Sequence, residues 1–114
     1  MSSVTTPETV DRIRLLNDNF RTTFIGGQVV MSAGVAALCL DVKAHAFIHV
    51  QAFTEFSADN DPHGEHDFGS FEVAGEKFFW KIDYYDSDMM FGSEDPSDPQ
   101  KTTRVLTIML SHEY

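Results

Sequence analysis

DNDPHGEHDFGSFEVAGEKFFWKIDYYD, residues 59–86, carries the clearest strand–turn–strand signal in the chain, its densest run of ionisable side chains and its single Trp. Phe68 to Val73 alternates in polarity, Ala74-Gly75 supplies a tight turn, and Glu76 to Tyr84 alternates again. This predicts a β-hairpin over 68–84. On its second strand Phe78, Trp80, Ile82 and Tyr84 share one face, and Phe79, Lys81, Asp83 and Tyr85 share the other. Period-two aromatics of this kind read as core rather than as a ligand pocket. Just upstream, Pro62, Gly64 and Gly69 prevent any long helix, so DNDPHGEHDFG reads as a loop whose Asx residues favour turns.

Beyond the hairpin, Ser93 to Lys101 (SEDPSDPQK) is an acidic, proline-bearing loop, too polar to bury. Thr102 to Leu110 (TTRVLTIML) is β-branched and apolar on both faces, as suits a central strand. The final SHEY is expected to edge the sheet. On the other side, Asp41 to Phe56 satisfies two periods at once. Val42, Ala44, Ala46, Ile48, Val50 and Ala52 alternate as a strand would, while Val42, Ala46, Val50 and Phe53 form a helical stripe. Alanine content, Asp41 as a good N-cap and a run longer than most strands favour helix. Earlier still, Thr5 or Thr6 can cap a helix that opens at Pro7-Glu8. Its inward stripe is Val10, Ile13, Leu16 or Asn17, and Phe20, with Arg12, Arg14 and Asp18 turned outward. Gly26-Gly27 ends that helix, Gln28 to Met31 reads as a short strand, and Gly34 breaks the apolar run that follows.

The elements sum to α-β-α-β-β-β. The expected fold is α+β: a small antiparallel sheet of about four strands with two helices packed on one face. At 114 residues, residues 1–114 form a single domain with neither repeat nor linker, able to bury a core without metal or disulfide support. Cys39, the only cysteine, lies in the apolar run AGVAALCL and reads as a small buried hydrophobe. MSSVTTPETVDRIR lacks the apolar core of a signal peptide, and no apolar run approaches the ~20 residues of a membrane span. The expectation is a soluble, cytoplasmic protein.

Net charge is −10. Residues 55–98 hold thirteen acids against Lys77 and Lys81, leaving −11, while the rest of the chain holds five acids and six bases. One continuous segment thus carries the whole imbalance. Phosphate backbones and anionic membranes would repel it, so cations and basic protein surfaces are the partners expected.

Five blocks carry a family resemblance: NDNFR (17–21), DNDPHGEHDFG (59–69), FWKIDYYD (79–86), GSEDP (92–96) and TRVLTIMLSHEY (103–114). Together, in this order and spacing, they resemble the small bacterial family catalogued as a domain of unknown function, DUF3768. The resemblance implies a single-domain bacterial protein, often encoded on plasmids and other mobile elements. It implies no activity, cofactor or catalytic residue.

Three chemistries compete for the ionisable stretch. His63, Glu65, His66 and Asp67 are ligand types that Zn²⁺ or Mn²⁺ accepts, with Asp59 and Asp61 upstream. The spacing matches no strong zinc signature. The calcium-loop template fails as well, because His63 holds its fifth position and Ser70 its twelfth. The plainer alternative is a loop whose Asp and His side chains bond its own backbone. His45 and His49 sit at i,i+4, yet no local Glu or Cys completes a shell, so they read as solvent-edge histidines. Glu65, His66, Asp67 and Asp83 could supply acid–base catalysis, but nucleophile elbow and phosphate loop are both missing. Enzymatic activity is therefore the weaker reading.

The third chemistry is an acidic binding surface made of Asp59, Asp61, Glu65, Asp67, Asp83, Asp86, Asp88, Glu94, Asp95 and Asp98. Gathered at one end of a sheet, these carboxylates can imitate nucleic-acid phosphates and enter a basic cleft, while Tyr84, Tyr85, Met89, Met90 and Phe91 offer anchors. The leading expectation is a small acidic interaction protein that inhibits or regulates a basic, nucleic-acid-handling partner without a cofactor. The alternative is a metal-binding or hydrolytic protein using the DNDPHGEHD loop.

Overall fold

A computed structural model describes residues 6–114. Helix α1 (Pro7–Thr23) opens on Thr6, whose hydroxyl accepts a bond from the Thr9 amide at 3.1 Å, with Pro7 in the first turn. Capping by Thr5 lies outside the described residues. The helix does not stop on a glycine: Phe24 takes the left-handed cap (φ 60°), and its amide bonds the Phe20 carbonyl. Strand β1 (Gly27–Met31) follows, then a four-residue helix, α2 (Ala33–Ala36), capped by Ser32. Helix α3 spans Leu40–Ala52, so the helical reading of 41–56 holds, although the helix ends four residues sooner. Its N-cap is Cys39 rather than Asp41, and no side chain caps it. At this turn between α2 and α3 Cys39 is exposed, which corrects the expectation that it is buried.

The hairpin forms as expected. Strand β2 (Phe68–Val73) pairs antiparallel with β3 (Glu76–Tyr85). The two turn residues Ala74 and Gly75 both have positive φ, 54° and 80°, the geometry that matches the twist of paired strands. Strand β4 (Thr103–Leu110) is antiparallel to β3 and lies inside the sheet, whose order is β1-β4-β3-β2. The fold is α+β, and the sheet is mixed, because β1 runs parallel to β4 from Gly27↔Arg104 to Met31↔Ile108. Residues 111–113 form a 3₁₀ turn instead of edging the sheet. Glu113 folds back there to accept bonds from the Ser32 hydroxyl, the Gly34 amide and the Leu110 amide.

One face of the sheet presents Phe78, Trp80, Ile82, Leu106, Ile108 and Leu110 to the helices, which contribute Phe20, Val35, Ala46 and Val50. Fully burying each large side chain contributes roughly 1.5–3 kcal/mol. On the opposite face Tyr114 packs edge-on against Phe79 and Phe68, with ring centroids 5.3 and 5.7 Å away. No helix among the described residues is long and apolar enough to cross a membrane.

Candidate functional site

Three buried polar residues interrupt the apolar pattern of the helices and strands, Asn17 (0% exposed) and Arg21 (3%) in α1 and Arg104 (3%) in β4; Asn17 and Arg104 form a pair. Arg104 Nε donates to Asn17 Oδ1 at 2.7 Å, and Arg104 Nη2 donates to the Pro96 carbonyl at 2.5 Å. Asn17 Nδ2 donates to the Glu65 carbonyl (2.9 Å) and to the Tyr84 hydroxyl (2.8 Å), which in turn donates to Glu65 Oε1 at 2.7 Å. The Arg104 guanidinium also lies 5.2 Å over the Tyr84 ring. Two side chains therefore fasten the 59–67 loop and the 93–101 loop to one point in the core. Topology agrees: Phe68 pairs with Lys81 near the C-terminal end of β3, and the second loop leaves β3 at that same end.

Other contacts stitch the 59–67 loop to α1. Arg14 Nη1 donates to the Gly64 carbonyl at 2.9 Å. His66 has positive φ (56°), and its ring stacks flat on Phe56 with centroids 3.7 Å apart. Its Nδ1 lies 3.0 Å from Asp18 Oδ1, and its backbone amide donates to Asp61 Oδ1 at 3.1 Å. Asp18 also pairs with Arg21 (3.1 Å), whose buried guanidinium donates to the Val50 carbonyl and lies over Phe56 and Trp80. Arg14 and Asp18, expected to turn outward, thus serve as fasteners.

His63, Glu65, His66 and Asp67 are engaged differently. His63 is exposed, Glu65 bonds Tyr84, and His66 bonds Asp18 with its Nε2 3.6 Å from Asp61. Asp67 is half-buried, and its carbonyl accepts from the Ile82 amide. Among the described residues no group of three His, Cys, Asp or Glu side chains is placed to hold an ion. The bonds these side chains make run to α1 from His66, to β3 from Glu65, and to the loop's own backbone from Asp61. His45 and His49 are both exposed, and His49 stacks on Phe71.

The acidic residues divide by what they do. Asp61 is buried beneath His66, and Asp83 lies on the Phe79 face of β3, paired with Lys81 at 2.9 Å. Asp86 accepts from the Met90 amide (3.0 Å), Asp95 from the Ser97 hydroxyl (2.5 Å) and Asp98 from the Gln100 amide (2.9 Å), so each shapes a turn. Glu94 is exposed and only 3.8 Å from Lys101. Asp59 and Asp88 are exposed. In the 86–92 turn that Asp86 and Asp88 share, Met90 and Phe91 are 73% and 71% exposed. The second loop is less solvated than its composition suggests, for Ser97 is buried and Pro96 is gripped by Arg104.

Electrostatics follow from this packing. Burial, reinforced by the neighbouring Glu65, raises the Asp67 pKa above the ordinary carboxylate range. Burial and the Glu65 carboxylate push the Tyr84 hydroxyl far above its usual value, so it stays a donor. Burial lowers Arg104. The hydroxyl of Ser97 holds Asp95 low, and that of Ser32 holds Glu113 low. A carboxyl raised in the folded state costs stability above its folded pKa, and the cost fades as pH falls through it. Asp67→Asn is therefore expected to stabilise the protein at pH 7 by a few tenths of a kcal/mol, roughly, after solvent screening. In urea titrations the gain should fade as pH falls through the folded pKa and vanish only below the unfolded value of 3.8, and an equal gain at pH 7 and below that value would refute the assignment.

Sequence reasoning missed Asn17, Arg21 and Arg104 as organisers. Their signal was available: each is a polar residue standing at an apolar position of a helix or strand period.

The family described as "Protein of unknown function (DUF3768)" matches residues 31–113. That span contains the 59–69, 79–86 and 92–96 blocks and nearly all of 103–114, and it leaves out Asn17–Arg21. No curated protein and no solved structure matches the chain.

Proposed function

The chain belongs to the DUF3768 family, proteins of unknown function, and from its own surface we propose that it is a small acidic interaction protein. It occupies the basic cleft of a nucleic-acid-handling partner in place of nucleic acid. The observation that carries this reading is the Arg104–Asn17 bridge, which grips Pro96 and Glu65 and so holds two acidic loops together on one rigid support. Asp59, Asp88 and Glu94 point their charge at solvent from those loops and from the turn between them, beside exposed Met90 and Phe91. Clustered carboxylates steer a basic surface inward, and apolar side chains anchor it once it arrives.

The internal bonds decide which residues to test. Asp86 and Asp95 hold turns, so reversing them would disturb the loops themselves. Asp59→Lys, Asp88→Lys and Glu94→Lys combined spare those turns and lose only the exposed Glu94–Lys101 pair. The immobilised wild-type chain should retain basic proteins from a cell lysate at low salt and release them to duplex DNA. The triple variant should retain about tenfold less. Retention that ignores both the substitutions and competitor DNA would remove the proposal.

A further inference from the structure

On the Phe79 face of the sheet lies an open cavity of about 490 Å³. Thr107 and Met109 of β4 form its floor. Tyr85 stands at one end along β3, and Tyr114, packed on Phe79, stands at the other. An ion pair runs between them, Lys81 Nζ to Asp83 Oδ2 at 2.9 Å, with the two side chains 40% and 38% exposed, so both charges are within reach of a solute. Glu113 adds a side wall, but its carboxylate is already taken by Ser32, Gly34 and Leu110. Among the described residues that line the cavity, Lys81 and Asp83 are therefore the charges it has to offer. The bond to Asp83 raises the Lys81 pKa against the pull of partial burial, so the ammonium keeps its proton. The volume falls within the range that holds small molecules, roughly 300–1,000 Å³.

We propose that this cavity binds a free α-amino acid with an apolar side chain, taken up as the zwitterion. Charge selects that class. A ligand with a single charge meets one complementary partner and, right beside it, a like charge. A zwitterion laid antiparallel satisfies both: its carboxylate accepts from Lys81 and its ammonium donates to Asp83. On an α-amino acid the two groups sit one carbon apart, as close together as the pair they face. Thr107 lies opposite Lys81 in the β3–β4 register, so its hydroxyl is placed to donate to the same carboxylate. One step along, the register sets Phe79 against Met109, with Tyr114 packed on Phe79, which makes an apolar seat for the ligand's side chain. Net charge favours the same class. At −10 the protein repels small anions and gathers small cations over its whole acidic surface, whereas a ligand of zero net charge is held only where both its poles are met. Asp59, Asp88 and Glu94 do not line the cavity, so it and the acidic loops act separately.

Isothermal titration of the full chain with L-phenylalanine tests it. The wild type should bind with a Kd of about 0.1–1 mM, as suits a small ligand in an open site. 2-Phenylethylamine, which lacks the carboxylate, and 3-phenylpropionate, which lacks the ammonium, should each bind at least about tenfold more weakly. Lys81→Gln and Asp83→Asn alter half-exposed positions, so circular dichroism should report native folding. Lys81→Gln should bind L-phenylalanine no better than the amine, and Asp83→Asn should bind it no better than phenylpropionate. An ion pair with a structural role alone would shift all three ligands together or none. The inference is overturned by L-phenylalanine that fails to bind the wild type at about 10 mM, by wild-type binding that does not distinguish the three ligands, or by variants that keep the wild-type order of preference.

Discussion

Asn17→Leu is expected to destabilise the protein by about 3–4 kcal/mol, near the upper end for a single substitution of similar volume. Leucine fits the space, so packing is nearly conserved and the loss comes from hydrogen bonding. Arg104 Nε loses its acceptor, while the Glu65 carbonyl and the Tyr84 hydroxyl lose a donor. An unpartnered buried group costs about 1–3 kcal/mol, and more when it is charged. Burial already disfavours the charged form of Arg104, so there is little to compensate the loss. Urea unfolding should show the drop at unchanged m-value. Pairing it with Arg104→Met should cost less than the sum of the two singles by about 1–2 kcal/mol, because each alone orphans the other. Strict additivity would mean that the two side chains do not act together.

The second large effect lies under the hairpin. Gly69 sits opposite Trp80 in the β2–β3 register, and a methyl group there would overlap the Trp80 indole and lie 2.9 Å from the Phe53 ring. All three groups are packed: Trp80 is 0% and Phe53 8% exposed, and Phe53 meets Trp80 edge-on at 5.6 Å. Neither ring can retreat without displacing Phe56, which meets both. Gly69→Ala should therefore cost about 3 kcal/mol, at the high end for overpacking. Adding Trp80→Phe, which removes the overlapping atoms, should recover part of that loss. Thermal melting of the two variants checks it; a Gly69→Ala protein as stable as wild type would contradict the packing.

How legible these features were depended on range. The hairpin could be read because its information is local: alternation on both sides of Ala74-Gly75, and a turn whose positive φ values suit the strands it joins. The 41–56 ambiguity was settled by packing, since burial of Ala46 and Val50 four residues apart belongs to a helix. The parallel direction of β1 had no local signal, because strand partners distant in sequence are chosen by topology. Cys39 misled for a similar reason: an apolar neighbourhood in sequence became an exposed corner between two helices. The candidate site followed the same division. Which residues were acidic and which segments were loops could be read directly. That one asparagine and one arginine would fasten two loops could not, because Asn17 and Arg104 are 87 positions apart.

The parallel pairing of β1 with β4 sets an order of events. Gly27 finds its register partner only at Arg104, and Glu113 closes over Ser32 and Gly34 later still. During synthesis the first strand must wait, unpaired, until Arg104–Ile108 has been made, and closing so wide a span slows assembly. The hairpin, complete by Tyr85, is the element free to form early, and the newborn protein's period of vulnerability ends when its last strand slots between the first and the third.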